Sequence, residues 1–469
     1  MRPFRIPAYP HFDGPLSRGA AYALVMDSGR VAAHRFLPLL RHRAPKRKFR
    51  SGKAVAPGKP SYRAITYAGR CDSVIFRRYR DLLYECYEKI LRREGLADCV
   101  LAYRSIPSPG GHCKSNIDFA VETYNSIRRI GDCTVLCLDI KSFFDNIGHE
   151  IVLQTWKQLL GSDRLPEDHF AVMTAATKYG FVEEKIALGV LGFFGLKQSP
   201  SGAQVRGYLV PRRSLPMMLC DKRTFLQKIA KNVNVNKLGI PQGLPISDVL
   251  ANAVLLQFDM QMMQRCEALG GLYRRYSDDL LFVLPGKSVD PGSWIHDVDA
   301  TLGLVCRTLK LGHDKTSAYT VERLTTGAQR ITPIQPYKAI PTIDYLGLSY
   351  DGKSIYLRQC TLSRLKGRIV TRVRRQVLAR LQEQPTATAN QILSSLHLEG
   401  IMREFGRIEA HHRNRKDSSA RGPKRSFYCY AVRASKAGGL GVSQILKQIS
   451  DLNSFIRLRA RREISKLRP

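Results

Sequence analysis

Residues 272–284 read LYRRYSDDLLFVL. Leu272, Tyr273 and Tyr276 lead into Ser277, Asp278 and Asp279, and an apolar run from Leu280 to Leu284 follows. Bulky apolar and aromatic residues favour a pleated, half-buried surface and Ser and Asp favour turns, so the pattern predicts strand, tight turn, strand. Adjacent carboxylates at a hairpin tip repel unless a cation lies between them. The pair therefore predicts a site for a hard divalent metal with oxygen ligands. An exposed polar turn would use the same letters, so the distinction rests on what surrounds the stretch.

Immediately upstream, residues 239–247 (GIPQGLPIS) form a Gly/Pro loop with Ser247 placed as a helix N-cap. The segment DVLANAVLLQFDMQMMQRCEAL then predicts one long helix, apolar on most of its circumference and so buried under a sheet. Further upstream, residues 134–140 (TVLCLDI) predict a short buried strand broken only by Asp139 near its end. An acid there leaves water at a cost that a cation would offset. Phe143 and Phe144 follow, then an amphipathic helix over residues 148–160.

Towards the N-terminus, helical spacing runs from Asp72 or Ser73, either serving as cap, to Gly95. A loop over residues 103–116 (YRSIPSPGGHCKSN) carries Arg104 and Lys114 and leads into a helix reaching Ile127. Residues 40–53 (LRHRAPKRKFRSGK) are a basic run, read either as a solvated loop or as a phosphate-contacting arm. Residues 161–237 carry apolar Gly-punctuated and basic stretches and predict an insertion packed on the core.

Downstream, residues 293–311 predict a helix ended by Gly312, before Lys315. Residues 344–350 and 354–357 predict a hairpin around Asp351-Gly352. From Arg358 the chain is helical and basic, with Arg364, Lys366, Arg368, Arg372, Arg374, Arg375 and Arg380. A polar loop with His411 and His412 and a basic C-terminal helix follow.

The 469-residue chain holds 75 Lys and Arg against 39 Asp and Glu, a formal net charge of +36. Such an excess on a chain that is 44% hydrophobic points to a folded protein with a polyanionic partner. Nucleic acid is favoured over membrane, since no apolar run approaches a bilayer span. Eleven cysteines without a C-x-x-C pair, and an N-terminus without an apolar signal region, predict reduced thiols in a cytoplasmic protein.

Asp139 and the Asp278/Asp279 pair converge if their strands are neighbours in one sheet. The order strand, helix, loop, helix, hairpin suits a ferredoxin-like layer with helices on one face. Acids so arranged could clamp two metals for in-line phosphoryl transfer.

Five ordered segments resemble the motifs of reverse transcriptases: LDIKSFF at 138–144, GIPQGLPIS with LAN at 239–252, YSDD at 276–279, HDKT at 313–316 and YLGL at 345–348. The resemblance covers roughly residues 60–360. It implies an α+β right-hand polymerase with fingers, a ferredoxin-like palm and a helical basic thumb. The implied divisions are a basic N-terminal extension at 1–60, fingers at 61–131, palm at 132–178, an insertion at 179–238, palm again at 239–352 and thumb at 353–469.

By the same resemblance, Asp139, Asp278 and Asp279 hold two Mg2+ ions, for which Mn2+ could substitute, with the Ile140 carbonyl as an extra ligand. Lys315 would be the general acid. Gln242, Gly243, Phe144, Lys114 and Arg104 would bind the incoming nucleotide, and Tyr345, Leu346 and Gly347 would grip the primer end. Phe144 stands five residues after Asp139, where similar enzymes place a ring beneath the sugar, which implies dNTPs rather than rNTPs.

The implied partners are an RNA template, with a dedicated noncoding RNA as one candidate, a DNA product and dNTPs, with no membrane and with homo-oligomerisation left open. The short basic tail is closest to stand-alone bacterial enzymes of the intron/retron branch, several of which serve in antiviral defence. Two alternatives stay open: a template-independent nucleotidyl transferase or RNA polymerase on a similar palm, and a nucleic-acid-binding protein that has kept an inactive polymerase fold.

Overall fold

The structure, a computed structural model, describes residues 5–45, 62–108, 111–198, 203–287, 289–337, 340–406, 426–437 and 442–467. The basic residues 46–53 and the loop with His411 and His412 lie outside the described residues.

The predicted hairpin is the edge of a five-stranded sheet. Strands β1 (Cys133–Asp139), β2 (Leu272–Tyr276), β3 (Asp279–Pro285), β4 (Ser317–Arg323) and β5 (Gln329–Pro333) pair antiparallel in the order β5-β4-β1-β3-β2. The run Leu280 to Leu284 is continuously apolar because both faces of this sheet are covered. Leu280, Phe282 and Leu284 join Leu136 and Leu138 in one core cluster, while Leu281 and Val283 join Cys133 and Val135 in another. This corrects the expectation of helices on one face only.

Helices α1 (Arg70–Arg93), α2 (Asn116–Ile130), α3 (His149–Leu160), α4 (Ser247–Ala253), α5 (Leu256–Glu267), α6 (Pro291–Val305), α7 (Gln359–Glu383) and α8 (Leu452–Leu467) supply most of that cover. The first cluster takes Tyr79, Trp156, Leu250, Phe258 and Val298 from α1, α3, α4, α5 and α6. The second takes Tyr124 and Ile127 from α2, together with the apolar seams of α7 and α8.

Several predicted boundaries move for identifiable reasons. The long helix after residue 247 is two, α4 and α5, and Ser247 is the first residue of α4 rather than its cap, with its hydroxyl buried and unpaired. Asp72 lies in the first turn of α1 rather than capping it, and accepts from His34 Nε2 at 2.7 Å and Leu37 N at 2.9 Å. Helix α6 stops at Val305, so that Leu311 can form a β-bridge with Ile140 beside the sheet.

The start of the basic run is a strand, not a loop. Leu39–Pro45 pairs antiparallel with Tyr62–Tyr67 and parallel with Gly180–Glu183, which pairs in turn with Asn234–Val235. Residues 161–237 are thus tied into this second sheet, and they also carry helix Glu167–Thr177 and the hairpin Phe194–Gln198 with Gln204–Tyr208. The predicted hairpin near residue 350 has three strands, Ile343–Tyr345, Leu348–Tyr350 and Ile355–Leu357, because Leu346 (φ 47°) and Gly347 (φ 91°) turn the chain first.

In α7, Leu362, Leu365, Ile369, Val373 and Val377 are buried at three- and four-residue spacing. Arg364, Lys366, Arg368, Arg372 and Arg375 fall off that seam, so one helix presents an apolar face inward and a basic face outward. No helix among the described residues is long and apolar enough to cross a membrane.

Candidate active site

Antiparallel register between β1 and β3 sets Asp139 directly opposite Asp279. The Ile140 N–H donates to the Asp278 carbonyl at 2.9 Å, so the acidic turn is stitched to the end of β1. The Ile140–Leu311 bridge is made by Gly312 N donating to Asp139 O and Lys141 N donating to Lys310 O. That pairing does not use the Ile140 carbonyl, and Ile140 itself is fully buried. Ser277, at φ 61°, lies in the left-handed region, which costs a non-glycine residue about 1–2 kcal/mol.

The three carboxylates feel one another. The surrounding protein, then Asp278, then Asp139 push the Asp279 carboxyl up to about 7, although its side chain keeps one side open to solvent. Burial raises the Asp139 carboxyl, and Lys315 pulls it only part of the way back. Lys315 Nζ donates to both oxygens of Asp139, at 2.7 and 2.5 Å. Burial opposes the charge of this lysine, but the contact with Asp139 outweighs it and raises the ammonium.

Lys315 therefore joins the site as the counter-charge of Asp139 and not as a free acid. No group of three His, Cys, Asp or Glu among the described residues stands as a ready metal cage. The donor chemistry nonetheless fits a hard divalent cation: carboxylates from two strands meet, the Lys315 ammonium contacts only Asp139 among them, and the Arg358 guanidinium nearby is paired with Asp344.

The loop at 239–247 reaches the site through two glycines. A Cβ on Gly243 (φ 115°) would sit 2.3 Å from the Thr66 carbonyl, and one on Gly239 (φ 82°) 2.6 Å from the Asp145 carbonyl. Thr66 donates its N–H (2.8 Å) and hydroxyl (3.1 Å) to the Gln242 carbonyl. Ile240 N donates to the Phe144 carbonyl at 2.9 Å. Gln242 is half-buried and helps to line a 170 Å³ cavity with Arg41, Asp145, Tyr179 and Asn236. Phe144 is half-buried, its ring edge-on to the buried Phe143.

Other expected nucleotide and primer contacts change. The Arg104 side chain is 4% exposed and committed to Glu88 (2.7 and 2.9 Å) and to the carbonyls of Ala97 and Val100 (both 2.6 Å). It staples α1 to the following loop with four of its five N–H groups, and its side chain is buried there rather than presented to a triphosphate. Lys114 pairs with Glu122 at 2.7 Å. Tyr345 is buried in the second core cluster, so its ring cannot touch a primer. The half-buried turn at Leu346 and Gly347 remains accessible, with the Leu346 carbonyl held by Asn116 Nδ2 at 3.1 Å.

A layer of residues beneath the turn escaped the sequence reading. Arg275 and Asp259, both 0% exposed, pair at 2.6 and 2.7 Å, and Tyr103 and Asn252 complete the layer. The signal was present as a charge inside an apolar helix and another inside an apolar strand, since such charges are buried only when paired. Arg358, which pairs with Asp344 at 2.7 Å and lies within electrostatic reach of Asp279, was likewise missed.

No protein-family model and no curated protein matches the chain. Among solved structures it is similar to apo telomerase from Candida tropicalis truncated from its C-terminal domain, with 10% identity and a TM-score of 0.38 over 73% of this chain and 60% of that one. It is also similar to telomerase from Candida albicans in complex with a fragment of telomeric RNA, with 13% identity and a TM-score of 0.36 over 93% of this chain and 66% of that one. The chain thus spans less than two thirds of the length of either.

Proposed function

We propose that the chain is an RNA-directed DNA polymerase. The observation that carries this reading is the register of β1 against β3, which sets Asp139 opposite Asp279 with Asp278 stitched to Ile140. The central sheet would be the palm, the sheet around Tyr62–Tyr67 part of the fingers, and α7 with α8 part of the thumb. Asp139, Asp278 and Asp279, with the Ile140 carbonyl, would hold Mg2+. When bound, that cation would make the attacking 3′-hydroxyl easier to deprotonate and would offset the negative charge of the triphosphate.

The remaining steps belong to side chains and backbone of this chain. Gln242 and Phe144 would confine the incoming nucleotide, and the Phe144 ring would lie where a 2′-hydroxyl projects. Lys315, free to leave Asp139 once a cation replaces it, would turn its ammonium towards the triphosphate. The basic face of α7 would track the phosphate backbone of a primer–template duplex without reading sequence. The excess positive charge far from the acids supports a structured RNA as the template source, including a dedicated noncoding RNA.

Primer extension on an RNA template with Mg2+ and dNTPs tests the reading, with Asp278→Asn as control. Extension by the wild type alone is expected, and equal signals from both proteins would eliminate it. Activity without template would favour a terminal transferase instead. Phe144→Ala is expected to raise rNTP incorporation relative to dNTP by about tenfold to a hundredfold, because one ring carries the exclusion. Sequencing the RNA that copurifies with the protein identifies the template, and recovery of no enriched species would remove the noncoding-RNA part.

A further inference from the structure

Every donor on the Arg275 guanidinium is used, and the set explains why a charge lies under the acidic turn. Nε donates to Asp259 Oδ1 at 2.7 Å. Nη2 donates to Asp259 Oδ2 at 2.6 Å and to the Asn252 carbonyl at 3.1 Å. Nη1 donates to Asn252 Oδ1 at 3.2 Å and to the Ser277 carbonyl at 3.3 Å. Guanidinium has five N–H groups, and these are five acceptors.

Asp259 takes a further hydrogen bond from the Tyr273 hydroxyl at 2.8 Å, and Asn252 Nδ2 donates to the Ala102 carbonyl at 2.7 Å. The Arg275 backbone is fixed as well, its N–H donating to Cys99 O and its carbonyl accepting from Leu101 N. The cluster therefore joins α4, α5, β2 and the loop before α2 into one buried unit.

A buried ion pair is weak ground for stability, since well-packed apolar residues often do as well. Here one donor leaves the pair and reaches Ser277, the left-handed residue immediately before Asp278. The Tyr103 hydroxyl reaches the Ser277 hydroxyl from the other side at 3.2 Å. Relaxation of Ser277 out of that conformation would rotate the Asp278 peptide and break its hydrogen bond to Ile140.

We infer that Arg275, oriented by Asp259 and Asn252, is a positioning residue that latches the Ser277 turn and so sets the carboxylates of Asp278 and Asp279 for cation binding. This deepens the proposed polymerase reading, and as a statement about catalysis it rests on it. The latch itself is a statement about the turn, and it can be tested by metal binding alone.

The test compares wild type with Arg275→Lys, which keeps the charge facing Asp259 but has three donors on one nitrogen and cannot span to Ser277. Mn2+ affinity is read from the electron paramagnetic resonance signal of free Mn2+. Steady-state primer extension gives kcat and the KM for dNTP, and thermal melting checks the fold.

Arg275→Lys is expected to melt within a few degrees of wild type, to bind Mn2+ about tenfold more weakly, and to lose about tenfold or more in kcat with the KM for dNTP little changed. Adding Ser277→Gly, whose backbone adopts the left-handed region without strain, is expected to restore part of the Mn2+ affinity. Unchanged Mn2+ affinity in Arg275→Lys, or a loss that Ser277→Gly does not reduce, would overturn the latch. Wild type that binds Mn2+ but extends no primer would overturn the polymerase reading and leave the latch judged by the Mn2+ comparison. If Arg275→Lys fails to fold, Tyr103→Phe tests the same turn from its solvent side, and Mn2+ affinity equal to wild type there would overturn the latch.

Discussion

Two charged clusters lie a few residues apart along β2 and β3, and they are built in opposite ways. Around Arg275 and Asp259 each donor meets an acceptor, both side chains are 0% exposed, and the positive and negative charges balance. Around Asp139, Asp278 and Asp279 three carboxylates meet the Lys315 ammonium, with the Arg358 guanidinium beside them committed to Asp344, and the Asp279 carboxyl is pushed up to about 7. A closed cluster has nothing to offer a ligand, whereas an open one keeps an unmet demand for positive charge. The contrast separates a closed scaffold from a candidate site without reference to any relative.

Variants that remove one member from each cluster should separate the two most widely. Asp139→Asn is expected to lower primer extension by more than about a thousandfold while leaving stability near that of the wild type, because exposed Lys315 returns to water. Extension that survives this change would erase the distinction between the clusters. Arg275→Ala is expected to cost about 3–5 kcal/mol in urea unfolding, since it strands the buried Asp259 carboxylate. A loss below about 1 kcal/mol, the scale of an exposed pair, would show that the closed cluster is more hydrated than its geometry implies.

A third closed charge sharpens the comparison. Arg104→Met is expected to lower stability by about 1–3 kcal/mol, because Glu88 and two carbonyls lose their donor, with the KM for dNTP unchanged. An increase in that KM with stability intact would return Arg104 to the nucleotide site. The smallest expected effect is on pH dependence.

In the folded protein Asp279 holds its proton up to about 7, above its value in the unfolded chain. Its contribution to stability is therefore full at acid pH and lost as pH rises through about 7, the reverse of an ion-paired carboxylate. In EDTA, the wild type should lose stability relative to Asp279→Asn as pH rises from roughly 5 to 8, a window that brackets that titration. Melting temperatures across that range check the sign, and added Mg2+ should reduce the difference.

The elements most legible in the sequence were those with strong local signals. The apolar flanks of the Asp278-Asp279 turn gave the hairpin, and the run before Asp139 gave β1. The seam Leu362, Leu365, Ile369, Val373 and Val377 gave the amphipathic helix α7. Less legible were roles that depend on distant partners. Arg104 stood on a loop beside other basic residues, and nothing local indicated that Glu88 would claim it. Tyr345 stood in a recognised motif, but its burial follows from α2 and the central sheet, which come earlier in the chain, and its N–H donates to the Tyr124 hydroxyl. Residues 39–45 looked like a basic loop because their pairing partners are Tyr62–Tyr67 and Gly180–Glu183, which no local pattern reveals.

The sequence by itself determined that Asp139 ends a strand, that Asp278 and Asp279 lie at a hairpin turn, and that the chain carries a formal net charge of +36, because these follow from residue type and period. Only the tertiary structure decided that β1 and β3 are neighbours in a register that sets Asp139 against Asp279. It also decided which arginines are spent inside the protein, because a side chain acquires a fixed partner only when segments far apart in sequence are brought within hydrogen-bond distance.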